Sequence, residues 1–242
     1  MKKSIIYSLI AGAFLYGCGG EGIVETRPLG DLYSEAYEKL EGRNFEEAAA
    51  LFTEAESSWP TSPWAADALI MAAYSQYQDR NFAEAITTID RFMRFYPGHK
   101  DVAYVLYLRG MCFYRQVSDV RREPGMGNMA LAAFNQLVQR FPNSEYAENA
   151  KNKIAILRNY VAGKIMYSAR RDMRRQNWTV AITNLQTVVV QMYDTQMAPE
   201  ALFRLYEAYT AIGIPAQAKG YAEMLWLNFP DSEWAKKVTS DK

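Results

Sequence analysis

Arg43-Asn44-Phe45-Glu46-Glu47-Ala48 returns thirty-seven residues on as Arg80-Asn81-Phe82-Ala83-Glu84-Ala85, and in outline as Asn177-Trp178-Thr179-Val180-Ala181. A second marker follows twelve residues after each alanine. It reads Trp59-Pro60-Thr61-Ser62-Pro63-Trp64-Ala65, then Phe141-Pro142-Asn143-Ser144-Glu145-Tyr146-Ala147, then Phe229-Pro230-Asp231-Ser232-Glu233-Trp234-Ala235. Tyr96-Pro97-Gly98-His99 is a weaker copy, and Tyr193-Asp194-Thr195 holds the same phase without proline. The markers at 60, 97, 142, 193 and 230 are spaced by 37, 45, 51 and 37 residues. A period of this size is the signature of a stacked repeat, here with insertions of eight and fourteen residues. Proline ends the second helix of each unit because it has no N–H to donate, and Ser62, Ser144 and Ser232 are placed to cap the helix that follows.

The alternation of small, aromatic and alanine positions resembles the tetratricopeptide repeat. Unit one matches with Ala36, Phe45, Ala48, Phe52, Ala55 and Pro60, and unit two with Ala73, Phe82, Ala85, Ile89, Phe92 and Pro97. Unit three supplies Gly110, Ala130, Phe134, Leu137 and Pro142. Unit four supplies Ala169, Trp178, Ala181, Leu185 and Val188, and unit five Tyr206, Ala218, Ala222, Leu225 and Pro230. The resemblance implies an all-α fold, a right-handed superhelix of five helix pairs with a concave groove lined by the first helix of each unit. Residues 31–142 then form repeats 1–3, and 143–242 repeats 4–5 with a C-terminal cap.

The phase of those first helices selects the groove. Positions three before the small residue, one after and four after share a face. They are Tyr33, Tyr37 and Leu40, then Ile70, Tyr74 and Tyr77, then Tyr107, Met111 and Tyr114, with Tyr104 one turn earlier. Tyrosine fills six of the nine. Such residues offer rigid, amphipathic area, so Tyr33, Tyr37, Tyr74, Tyr77, Tyr104, Tyr107 and Tyr114 are the candidate peptide-binding groove. A ligand rich in aromatics and poor in charge is expected to suit it. Packing between neighbouring helices is the structural alternative for any one of them.

The amino terminus reads MKKSIIYSLIAGAFLYGC, with Lys2 and Lys3 ahead of a twelve-residue apolar stretch, Ile5 to Tyr16. Crossing a bilayer takes ~20 apolar residues, so residues 1–17 are expected to be a signal segment that is removed. Leu15-Tyr16-Gly17-Cys18 resembles the lipobox of bacterial lipoproteins, in which the cysteine is acylated; Tyr16 is bulkier than usual there. Cys18 is thus the expected lipid attachment point. Residues 18–30 are expected to form a flexible tether, and resemblance to the sorting of enterobacterial lipoproteins implies, from Gly19, the outer membrane.

Lysine plus arginine number 27, aspartate plus glutamate 27, histidine one and cysteine two. Charge balance excludes a generic nucleic-acid binder. Ser-His-Asp or Cys-His catalysis would have to rest on His99 alone, and two cysteines with one histidine argue against a Cys/His metal site. We therefore expect no catalytic residue, no metal and no cofactor. Gly125-Met126-Gly127 lacks the ending of a phosphate loop. Cys112, in an apolar helical run, is expected to be buried and inert, and His99 to stabilise a turn. Residues 18–100 carry seven basic and fourteen acidic side chains, while 109–175 carry thirteen basic and five acidic. Arg121, Arg122, Arg170, Arg171, Arg174 and Arg175 are the candidate partner interface, since arginine pairs bidentately with carboxylates. A solvated helix face is the alternative reading of such a run.

Asp90-Arg91-Phe92-Met93-Arg94-Phe95-Tyr96-Pro97-Gly98-His99, Tyr104-Val105-Leu106-Tyr107-Leu108-Arg109-Gly110 and Ser118-Asp119-Val120-Arg121-Arg122-Glu123-Pro124 resemble the BamD family of outer-membrane assembly lipoproteins. Lys100 and the Arg122-Glu123 pair depart from its usual pattern. The resemblance implies a non-enzymatic subunit, lipid-anchored at the periplasmic face of the outer membrane. Its amino-terminal repeats would receive segments of unfolded outer-membrane proteins. Its carboxy-terminal repeats would dock a POTRA domain of a BamA-type barrel subunit, beside other lipoproteins of the assembly complex. The rival reading is a lipidated repeat scaffold of another envelope system, such as a pilotin or a cell-wall enzyme adaptor.

Overall fold

The structure is a computed structural model that describes residues 27–117 and 125–240. Among the described residues, ten helices form five successive pairs. They are α1 (Leu29–Glu41) with α2 (Phe45–Ser58), α3 (Ala65–Gln78) with α4 (Phe82–Phe95), and α5 (Val102–Tyr114) with α6 (Gly125–Arg140). Next come α7 (Glu145–Arg174) with α8 (Trp178–Gln191) and α9 (Ala198–Ala211) with α10 (Pro215–Asn228). A short α11 (Glu233–Ser240) closes the array against α9 and α10. Each helix packs on the next in the chain, and first helices of neighbouring units also meet, α3 on α5 and α5 on α7. No helix among the described residues is long and apolar enough to cross a membrane.

The repeat positions are the core. Ala36, Ala48, Phe52, Ala85, Ile89, Ala130, Phe134, Ala181 and Leu185 are fully buried. Small residues at these points let helices approach closely, and one large apolar residue a turn later fills the remaining space. The fourteen-residue insertion lengthens α7 to 30 residues. That helix joins two cores: Ala150 and Leu157 belong with units 2–3, and Val161, Ala162, Met166 and Ala169 belong with units 4–5. The eight-residue insertion runs into 118–124, outside the described residues.

Within a pair, the turn recurs with the same geometry. Arg43, Arg80, Gln176 and Gly213 all have φ between 59° and 75°. The residue after each bonds back to the carbonyl five places earlier: Asn44 to Lys39, Asn81 to Gln76, Asn177 to Asp172, Ile214 to Tyr209, at 2.8–2.9 Å. These are Schellman closures, which need a left-handed residue at that point. Three of the four are not glycine and carry the associated strain. Gly213→Ala is expected to lower stability by about 1 kcal/mol, read as a shifted urea midpoint with unchanged slope.

Between pairs, Trp59, Tyr96 and Phe229, each preceding a proline, leave the helical region with φ of −126° to −136°. Met192 adopts the same conformation, φ −134°, ahead of Tyr193 rather than proline. Arg158 on α7 stands in for the missing ring, donating to Asp194 at 2.9 Å and to the Gln191 carbonyl at 2.7 Å. Ser144 and Ser232 receive the Ala147 and Ala235 N–H groups at 3.2 and 3.1 Å, as their capping phase predicts. Ser62 does not cap α3. Pro63 stands where the other copies have glutamate, the helix begins only at Ala65, and Ser62 Oγ accepts from the Trp64 N–H at 3.2 Å.

Candidate functional site

The seven tyrosines fall into two sets. Tyr33 and Tyr37, one turn apart on α1, both stand edge-on to Phe52, with centroids 5.7 and 5.3 Å away. Tyr33 also meets Trp64 at 5.4 Å and donates its hydroxyl to the Trp64 carbonyl. Tyr37 and Trp64 nonetheless remain 43% and 52% exposed. The second set is half-buried and ties helices together. Tyr77 packs on Phe82 at 5.8 Å. Tyr104 and Tyr107 pack on Tyr146 of α7 at 5.4 and 5.6 Å, and the Tyr107 hydroxyl donates to Asn149 Oδ1 at 3.0 Å. Tyr114 lies against Phe134, with the Lys153 ammonium 5.0 Å over its ring. Tyr74 packs against the same core. Burial raises the pKa of Tyr33, Tyr77, Tyr104 and Tyr107, with the charge of Asp67 adding to the shift at Tyr33. All four therefore stay protonated donors near neutral pH.

The sequence argument missed Trp64 and Tyr146, although the signal was present. Both precede the alanine in a copy of the second marker, as does Trp234. Each packs on aromatics of the preceding first helix: Trp64 on Tyr33, Tyr146 on Tyr104 and Tyr107, and Trp234 on Phe203 at 5.3 Å. The repeated aromatic is an inter-unit wedge.

A pocket of about 620 Å³ opens between α1 and α3, bounded by Tyr33, Tyr37, Trp64, Asp67, Ile70 and Asp101. Its carboxylates were also invisible to the repeat phase. His99 stands between them, Nε2 3.8 Å from Asp67 and Nδ1 3.7 Å from Asp101. Its ring stands edge-on to Phe92 at 5.6 Å, and Nδ1 accepts the Asp101 N–H at 3.3 Å. His99 thereby holds the turn into α5, the role its position suggested. Cys112 is fully buried, and burial pushes its thiol up to about 12, so it holds no thiolate near neutral pH.

The basic half is less uniform than its sequence. Cys18, Arg121 and Arg122 lie outside the described residues. Arg170 donates through Nε to Glu200 Oε1 at 2.8 Å and makes a second bond to Oε2, bracing α7 against α9. Arg204 approaches the same carboxylate at 3.4 Å. Burial alone would raise the Glu200 pKa, but the hydrogen bond and charge of Arg170, with those of Arg204, outweigh it and hold the group low. Arg170 is thus engaged inside the protein. Arg171 is 3.7 Å from Asp172, and Arg174 and Arg175 are exposed with no ion pair among the described residues.

Residues 26–225 match the YfiO family, described as outer membrane lipoprotein. An outer membrane protein assembly factor BamD from Caulobacter vibrioides is 36% identical, across 95% of this chain and 77% of its own length. One from Neisseria meningitidis serogroup B is 31% identical, across 97% and 94%. Among solved structures, the P58(IPK) tetratricopeptide domain aligns with 86% of this chain and 53% of its own, with a TM-score of 0.47 and 13% identity. With a family match over residues 26–225 and relatives that run almost its whole length, the chain belongs to the YfiO family of outer membrane lipoproteins.

Proposed function

We propose that this protein is a non-enzymatic subunit of the outer-membrane β-barrel assembly machinery, lipid-anchored through Cys18 at the periplasmic face. Repeats 1–3 receive extended segments of unfolded outer-membrane proteins. Repeats 4–5 dock a POTRA domain of a BamA-type barrel subunit. The observation that carries the reading is the near-full-length relationship to proteins named as assembly factors, which spans both halves of the array. The exposed rings of Tyr37 and Trp64 over the α1–α3 pocket support a receiving role, since burying them would release aromatic surface from water. Arg174 and Arg175, exposed and without an ion pair among the described residues, support electrostatic docking at the other end, with Arg171 beside them. The hydroxyl-bonded Tyr107 is a poor probe of ligand binding because it braces α5 against α7.

The test uses Tyr37→Ala with Trp64→Ala, measured against a peptide from the carboxy-terminal strand of an outer-membrane barrel. Affinity is expected to fall by about tenfold to a hundredfold, as for loss of interfacial aromatic anchors. Unchanged affinity in the folded variant would refute the receiving role of this pocket. Depleting the protein should lower outer-membrane barrel levels broadly, and normal levels would refute the assembly role.

A further inference from the structure

The pocket between α1 and α3 joins two features that the tyrosine pattern does not. Flat aromatic faces, Tyr37 and Trp64, stand open at its rim. Asp67 and Asp101 bring carboxylates to it from the first turn of α3 and the start of α5. A carboxylate oxygen from each, with one His99 nitrogen, forms a group whose members lie within 4.8 Å of one another. Among the described residues Asp67 has no lysine or arginine partner. Lys100 approaches Asp101 only at 3.9 Å and is largely exposed.

Aromatic faces attract a cation lying over them, and closely spaced carboxylates accept a forked donor better than a point charge. An aliphatic stem can lie along Ile70 and Met71 on the way in. About 620 Å³ is ample for one long side chain with part of its neighbour. We propose that this pocket binds the guanidinium of an arginine carried within the extended client segment, lying against the exposed rim aromatics Tyr37 and Trp64 and paired with Asp67 and Asp101. It rests on the receiving role given above and makes it chemically specific. A free carboxy-terminal carboxylate is repelled here, so the anchored arginine lies inside the segment and not at its end.

The test titrates the full-length lipidated protein in detergent with amidated peptides of alternating aromatic residues. The peptides differ only at one central position: arginine, glutamine or glutamate. The arginine peptide is expected to bind about tenfold more tightly than the glutamine one, with glutamate weaker still. Asp67→Asn with Asp101→Asn, which keeps side-chain shape, should abolish that preference, so that arginine and glutamine peptides bind the double variant alike. Equal binding of arginine and glutamine peptides by the unaltered protein overturns the proposal and leaves the receiving role standing. A preference that survives in the double variant also overturns it. If no peptide binds, the receiving role fails and this inference with it.

Discussion

Gly110→Ala is expected to destabilise the protein by about 1–2 kcal/mol, although it replaces a helical glycine with the best helix former. Gly110 occupies the small position of α5 and faces Phe134 of α6. A Cβ there would sit 2.4, 2.6 and 2.9 Å from three carbons of that ring, closer than real Cβ atoms come to anything. Phe134 has nowhere to retreat. It is fully buried, with Tyr107 and Tyr114 flanking it at 6.0 and 6.4 Å. Helix propensity favours alanine by about 1 kcal/mol, whereas forcing a methyl into a packed core costs about 1–3 kcal/mol and sometimes more. The steric effect therefore wins. Gly220→Ala in α10 isolates the propensity effect, since a Cβ there meets nothing within 4 Å, and it should stabilise by about 0.5–1 kcal/mol. Urea denaturation of the two variants should move in opposite directions. A Gly110→Ala midpoint at or above that of the unaltered protein would contradict the packing described.

Removing the Glu200 carboxylate should have an effect of similar size, about 2–3 kcal/mol for Glu200→Ala. It would leave Arg170 with no counter-charge between α7 and α9, while Arg204 keeps Glu207 at 2.7 Å. Breaking a buried pair typically costs about 3–5 kcal/mol; the Arg170 side chain is 35% exposed, and water there reduces the figure. The pH dependence has a definite sign. The folded-state pKa of Glu200 lies below its ordinary value. The pair's contribution is therefore fully present above the unfolded carboxylate range, near pH 4–5, and is lost as pH falls through the folded value. Glu200→Gln should flatten the acid limb of the stability profile below about pH 5. An unchanged limb would place the acid sensitivity elsewhere. Charge reversal at Arg170 would impair partner docking by weakening the fold. If the proposed docking role holds, reversal at Arg171, Arg174 and Arg175 is what lowers partner binding in a fully stable protein.

How much of this was readable in the chain depends on the range of the interaction. The helix pairs, their order and their buried positions follow from phase, because helical geometry puts residues three and four apart on one face wherever the helix lies. Ser144 and Ser232 were readable as caps for the same local reason. Ser62 was not, because the adjacent proline delays the start of α3. The tyrosine phase was readable too, but not its division. Whether Tyr107 binds a ligand or Asn149 depends on how close α7 comes to α5.

The sequence alone determined the repeat architecture, the resemblance of Leu15–Cys18 to a lipobox and the split of acidic and basic halves, because each is a pattern along one strand of chain. The tertiary structure decided the chemistry of the pocket and the fate of Arg170. Asp67 and Asp101 are 34 residues apart, and Arg170 and Glu200 thirty. No local rule brings either pair together. Their meeting is set by the angle and distance at which one helix pair stacks on the next, which the whole buried interface fixes at once.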